Sequence, residues 1–340
     1  MRKRNFLWLG CVVSTLLACG DGNASAVSTT DGDSSVTLLD SISEFITQNP
    51  RDASALAFRA GLHLENKNLP YAKADAEASL ALDSGLAAAH LRMGEVYFLS
   101  NQTRNSKLEW EKCIALDPAT IECRLKLAEL YSIVQEHGKS NELVDKVMEL
   151  DPRNPIAYYI KGLNIRDGKG DTVMALKYIQ KAIDLDPYYA VALDMAGVLH
   201  AALKSPLASG YFQRLIELDP SNFNAHYNLG MFYLGQRDFN PAIETFTLCS
   251  QLDPKNPEPF FNLGFIHLEL NLIPEARSYF GQSIQAREVN YRAYYGRAYC
   301  AEKTGDVASA ESDYRKALSY NPQHLPSREG LKRIVMLRAR

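Results

Sequence analysis

The sequence predicts an all-α solenoid: about eight helical hairpins stacked in one line and closed at each end by a further helix. Asn/Asp-Pro dipeptides lead there first. Asn49-Pro50, Asp117-Pro118, Asp151-Pro152, Asp186-Pro187, Asp219-Pro220, Asp253-Pro254 and Asn321-Pro322 place their prolines 68, 34, 35, 33, 34 and 68 residues apart. A fixed period of about 20 to 50 residues marks a repeat architecture. Within the 34-residue frame small residues recur at two slots, position 8 (Ala60, Gly94, Ala128, Gly162, Gly197, Gly230, Gly264, Ala298) and position 20 (Ala72, Ser106, Ser140, Ala175, Ala208, Ala242, Ala276, Ala310). Paired helices need small residues where they approach closely. Finally, 46% hydrophobic residues supply enough apolar material to bury and argue against long disorder. Length alone would suggest about two domains of about 150 residues, an estimate that the period replaces with one continuous body.

The chain opens on a different kind of segment. Arg2, Lys3 and Arg4 precede a 13-residue apolar run, Phe6 to Ala18, too short for a bilayer span of about 20 residues and suited to a signal-peptide core over 1–18. The run ends Leu16-Leu17-Ala18-Cys19-Gly20. This ending resembles the lipobox of bacterial lipoproteins, which implies cleavage before Cys19 and acylation of Cys19. Several acyl chains anchor durably, so the resemblance implies a protein tethered to a membrane without crossing it. Gly20 stands at the second position, where Asp would resemble an inner-membrane retention signal. An outer-membrane destination is therefore expected in a cell with two membranes, with the facing leaflet open. Residues 19–35 are, apart from Cys19 and Val27, all Gly, Asn, Ala, Ser, Thr and Asp with little to bury, and read as a flexible tether.

Next come the capping helix and the units. Val36 to Gln48 carries Leu38, Leu39, Ile42, Phe45 and Ile46 at helical spacing and should cover the first hairpin. The units are 53–86, 87–120, 121–154, 155–189, 190–222, 223–256, 257–290 and 291–324, with one residue gained near Gly168 to Asp171 and one lost near Ser205. Turn residues such as Asn66-Lys67-Asn68, Gln236-Arg237-Asp238 and Thr304-Gly305-Asp306 separate two helices, A and B, in each unit. Pro70, Pro241 and Pro274 fall in the first turn of helix B, where a missing N–H costs nothing. The proline at position 32 stops helix B. Leu325 to Arg340 should cover the last unit with Leu331, Ile334 and Val335 while showing Arg328, Lys332, Arg333, Arg338 and Arg340 to solvent.

The unit Phe223 to Asn256 reads His226, Leu229, Gly230, Tyr233, Ala242, Phe246, Cys249 and Pro254 at positions 4, 7, 8, 11, 20, 24, 27 and 32. The next holds Phe260, Leu263, Gly264, His267, Ala276, Phe280, Ser283 and Glu288 there. This pattern resembles the tetratricopeptide repeat family. The resemblance implies a right-handed α-α superhelix whose concave face, built from positions 2, 5, 6, 9 and 12 of helix A, seats partner peptides.

Motifs for chemistry are absent. There is no Gly-rich phosphate loop, no GxSxG, no HExxH and no CxxC. His90 and His226 fill position 4, and His63, His200 and His267 fill position 11, as amphipathic core residues. No catalytic residue, metal, cofactor or small-molecule substrate is expected. With 37 Lys and Arg against 40 Asp and Glu, the formal charge of −3 gives no reason to expect nucleic acid. Cys11 belongs to the signal segment and Cys19 to the lipobox. Cys249 and Cys300 read as small buried hydrophobes. Cys113 and Cys123 sit where a bond would bridge one helix to the next in an oxidising compartment, or where two more small hydrophobes would pack.

Under the resemblance, the groove is the remaining candidate site. Position 5 of the last five units is Tyr159, Asp194, Tyr227, Phe261 and Tyr295; position 9 is Leu163, Val198, Met231, Phe265 and Tyr299. This makes a mainly aromatic wall suited to an apolar segment. The N-terminal half is more charged, with Glu65, Arg92, Glu95, Lys126 and Glu129. Asn228 and Asn262 at position 6 resemble two rungs of the asparagine ladder of some peptide-binding members. Tyr227 and Met231 occupy slots that a carboxylate clamp would fill with Lys and Asn. The expected function is a lipid-anchored, non-catalytic scaffold or adaptor of the bacterial envelope that binds a protein partner in its groove. The alternative is an accessory subunit of an envelope enzyme or assembly machine, such as a peptidoglycan hydrolase, a pilus or an outer-membrane complex.

Overall fold

The computed structural model describes residues 37–338. The signal segment, the tether with Cys19, and residues 339 and 340 of the expected cap lie outside them. The described residues form helices and connecting turns, without a strand. Helix α1 (Leu38–Gln48) is followed by eight hairpins. These are α2 (Ala53–Glu65) with α3 (Leu69–Leu82), α4 (Ala87–Leu99) with α5 (Thr103–Leu116), and α6 (Ile121–Ile133) with α7 (His137–Leu150). Then come α8 (Pro155–Lys169) with α9 (Thr172–Leu185), α10 (Ala190–Ala202) with α11 (Leu207–Leu218), and α12 (Phe223–Gly235) with α13 (Phe239–Leu252). The array closes with α14 (Pro257–Glu269) and α15 (Ile273–Ala286), α16 (Tyr291–Lys303) and α17 (Val307–Tyr320), and the final helix α18 (Leu325–Arg338). Each helix packs on its chain neighbours, and the core runs as a series of clusters along the array.

Local chemistry sets the breaks. Each B helix ends on Asp or another residue with an extended backbone, and Asp83, Asp117, Asp151, Asp186, Asp219 and Asp253 accept a hydrogen bond from the backbone N–H two residues on, at 2.8 to 3.2 Å. The recurrent Asp-Pro step is thus an Asx turn in which proline follows the acceptor. Asp52, Asn154, Asn222 and Asn290 then cap the next A helix by accepting from the backbone three residues later. Between A and B, one residue turns left-handed in every hairpin: Lys67, Asn101, Gln135, Gly170, Lys204, Arg237, Asn271 and Gly305. Gly170 lies one place late because α8 carries the extra residue; the missing one shortens α11.

Small position 20 is sealed, with Ala72, Ser106, Ser140, Ala175, Ala208, Ala242, Ala276 and Ala310 wholly inaccessible. Position 8 admits the large residue at position 24. A methyl group on Gly94 would sit 2.3 Å from Trp110, one on Gly230 2.9 Å from Phe246, and one on Gly264 2.8 Å from Phe280. The same ring reaches forward as well: a methyl on Gly296 would come within 2.6 Å of Phe280, and one on Gly330 within 2.3 Å of Tyr314. One aromatic ring therefore joins two consecutive hairpins.

At the ends, Ile46 of α1 packs with Ala55 and Leu56, and Ile334 of α18 with Ala298, Ala301 and Tyr314, Leu331 alongside. Val335 does not cover the last unit; it faces outward, 47% exposed, because Leu331 and Ile334 take the packed side of the helix. Arg333 and Arg338 are not merely solvated, since Glu302 and Glu311 hold them at 2.7 and 3.0 Å. Cys113 and Cys123 form a disulfide, with Cα atoms 6.3 Å apart, that stitches α5 to α6. Cys249 and Cys300 are free and buried, and burial pushes their thiols up to about 12 and about 11.

Candidate interaction groove

The inner wall changes character along its length. In the first half, charges compensate one another. Arg92 binds Glu95 at 2.8 Å and Glu122 at 3.1 Å, and Lys126 reaches Glu95 at 3.5 Å. Burial raises the Glu129 carboxyl, with Lys126 opposing the shift and Glu95 reinforcing it. Glu65 is exposed at the end of α2.

From α8 onward the wall is aromatic. Tyr159 meets Tyr189 edge-on at 5.5 Å, and burial pushes its hydroxyl up to about 12. Leu163 is buried and Val198 is exposed. Asp194 is half-buried among these groups; desolvation raises its carboxyl, and the Asn228 amide, donating at 3.3 Å, partly counters this. Tyr227 stacks on Phe223 at 5.8 Å and meets the edge of Phe246 at 5.7 Å. Phe261 lies under the Arg292 guanidinium at 4.6 Å, itself bonded to both oxygens of Glu258 at 2.7 Å. Tyr295 stacks with Tyr299 at 6.4 Å and meets His324 edge-on at 5.1 Å, and Lys303 covers Tyr299 at 5.2 Å. Tyr159, Tyr227, Met231, Phe261, Tyr295 and Tyr299 are all half-buried, and Phe265 is open. A guest would find faces of rings already fixed by neighbouring side chains, which lowers the ordering cost of binding.

The two asparagines occupy unlike places. Asn228 is half-exposed. Asn262 is 3% exposed, and its amide donates to the Tyr227 hydroxyl at 3.2 Å and to the Met231 sulfur at 3.5 Å. Position 6 of one unit therefore donates to position 5 of the unit before it, in both cases. The recurrence of Asn at position 6 is visible in the sequence; its bond to position 5 of the preceding unit is seen only in the structure.

Histidines serve the core. His90 bonds Glu109 at 2.5 Å and the Ser84 carbonyl at 3.0 Å, and His226 bonds the Pro220 carbonyl at 3.0 Å. His63, His200 and His267 lie against Tyr71, Tyr211 and Tyr279 at 5.3, 5.3 and 4.9 Å. Among the described residues no group of three or more His, Cys, Asp and Glu could hold a metal, and no helix is long and apolar enough to cross a membrane.

Two tetratricopeptide-repeat family models match the chain, over residues 211–244 and 261–324. The C-terminal part of a TPR repeat-containing protein from Cytophaga hutchinsonii is similar in structure, with a TM-score of 0.60 at 16% identity over 71% of this chain and 99% of that one. The Cut9-Hcn1 hetero-tetramer of APC/C aligns with a TM-score of 0.52 at 17% identity, covering 87% of this chain and 58% of that chain. A curated relative, the transcription factor tau 131 kDa subunit of Saccharomyces cerevisiae, is 25% identical over 138 residues, 41% of this chain and 14% of its own length. The chain thus spans a small part of that relative. The fold is a tetratricopeptide-type superhelix.

Proposed function

We propose that the chain is a non-catalytic scaffold of the bacterial cell envelope, anchored to a membrane through lipid on Cys19, that holds an apolar partner segment in its concave groove. The observation that carries this reading is the row of half-buried rings, Tyr159, Tyr227, Phe261 and Tyr295, at one slot of the A helices α8, α12, α14 and α16, with Asp194 at that slot of α10. A helical or extended segment lying along the last five units would meet a ring in four of them and the Asp194 carboxyl in the fifth. Tetratricopeptide proteins generally mediate protein–protein contacts, which agrees with this use of the wall. The Cys113–Cys123 disulfide suits the oxidising compartment that an envelope location supplies. The apolar leader and the lipobox-like Leu16-Leu17-Ala18-Cys19 suit the anchor.

Replacing Tyr227, Phe261 and Tyr295 together with Ala is expected to abolish partner capture from solubilised membranes while the far-ultraviolet helical signal is retained. Capture at the wild-type level would sink the groove reading. Cys19→Ser is expected to move the protein from the membrane to the soluble fraction; retention in the membrane would remove the lipid anchor.

A further inference from the structure

Given the groove reading, on which this rests, we infer that the seated segment carries a lysine or arginine among its apolar residues, and that this basic side chain docks on Asp194. Asp194 is the one acid in the row of slots that otherwise present rings, standing on α10 between Tyr159 of α8 and Tyr227 of α12. It is half-buried. A segment lying along the wall from Tyr159 to Tyr295 must pass over it. An apolar residue there would strip water from the carboxylate and return nothing, and an anion buried without a partner is costly.

The chain does not neutralise Asp194 itself. Among the described residues its hydrogen-bond partner is the neutral Asn228 amide, at 3.3 Å, and no salt bridge reaches it; desolvation raises its carboxyl despite that bond. The cations of the neighbouring wall are engaged elsewhere. Arg166 donates to both oxygens of Asp167, at 2.5 and 2.8 Å, and contacts the Met195 sulfur at 2.7 Å. Arg92 is held by Glu95 and Glu122, and Lys126 is shared between Glu95 and Glu129. Beyond burial, the Tyr159 hydroxyl is lowered by Arg166 and raised by Asp194 and Glu129, so both carboxylates lie within electrostatic reach of this ring. Tyr189 meets the same ring edge-on at 5.5 Å. A neutral donor from the guest would repeat what Asn228 supplies and leave the charge standing. An ammonium or guanidinium cancels it, gains from the ring faces, and lays its aliphatic stem against apolar walls. Toward α16 the slot returns to rings, Tyr227, Phe261 and Tyr295, which accounts for apolar residues beside the basic one.

The test selects peptides of about 16 random residues, displayed on phage, on the full chain held in non-ionic detergent, then measures the selected peptides by fluorescence anisotropy. Groove binders are those lost on Tyr227→Ala/Phe261→Ala/Tyr295→Ala. They are expected to carry a lysine or arginine flanked by apolar residues, and to weaken on the order of thirtyfold with Asp194→Asn. Replacing the basic residue of the peptide with norleucine should cost as much on wild type and nothing further on Asp194→Asn. Putting glutamate in its place should abolish binding to wild type and restore it on Asp194→Lys; where that variant does not fold, the norleucine comparison decides. Groove binders without a basic residue, or with one that is indifferent to Asp194→Asn, overturn the inference and leave the groove reading intact. A selection that yields no peptide sensitive to the triple substitution removes both.

Discussion

Asp194 interrupts an otherwise aromatic row, and its position makes it a pH-dependent liability. Burial disfavours the anion and raises the carboxyl above its ordinary 3.8; the Asn228 amide only partly offsets this. Between the unfolded and folded pKa values the native state holds more protons than the unfolded one, so stability falls as pH rises through that window and stays lower above it. Asp194→Asn is therefore expected to raise the thermal midpoint at pH 7 and to leave it nearly unchanged at about pH 3, where both side chains are neutral. An equal gain at both pH values would assign the effect to packing. Slot identities at this scale are legible in the sequence: an aromatic at position 5 and a small residue at 20 repeat visibly. The partners of Asn228 and Asn262 are not, because they lie one unit back, across a rotation between hairpins that no local pattern encodes.

At the scale of the element, the hairpin turns deserve a different substitution from the one that helix propensity suggests. Seven of the eight turns place the left-handed residue at position 15, and the eighth, Gly170, is displaced by the one-residue insertion; only Gly170 and Gly305 are glycines. An L-residue in that conformation costs roughly 1–2 kcal/mol, against which glycine loses more backbone entropy on folding. Gln135 is exposed and has a φ of 62°. Gln135→Gly is expected to stabilise by up to about 1 kcal/mol, read as a higher urea midpoint at unchanged slope; a lower midpoint would mean that the Gln side chain contributes more than the strain it imposes. The Asp-Pro steps announce where helix B stops, since both the Asx acceptor and the proline are chemical constants. The turn between A and B announces itself less clearly, because Lys, Asn, Gln and Arg fill the place that glycine would mark.

Across the whole molecule, stability is set by neighbour contacts along one line. The Cys113–Cys123 bond closes a short loop across one such junction, and cross-linking of this span is worth roughly 3 kcal/mol on the chain-entropy estimate. In a quasi-linear body that loss should stay local. Reduction, or Cys113→Ser with Cys123→Ser, is expected to speed amide hydrogen exchange in α4 to α7 while α12 to α17 keep their protection; uniform loss along the chain would show that the array unfolds as one unit.

The bond from position 6 of one unit to position 5 of the unit before recurs with the same donor, Asn228 to Asp194 and Asn262 to Tyr227. Cutting out 223–256 would therefore bring one asparagine to the oxygen that the other had served, with no joint left unmatched. Duplicating the segment would do the same in reverse. The molecule is built like a ruler from which one graduation can be removed or added, and the reach of its groove is a quantity that selection can adjust in whole links.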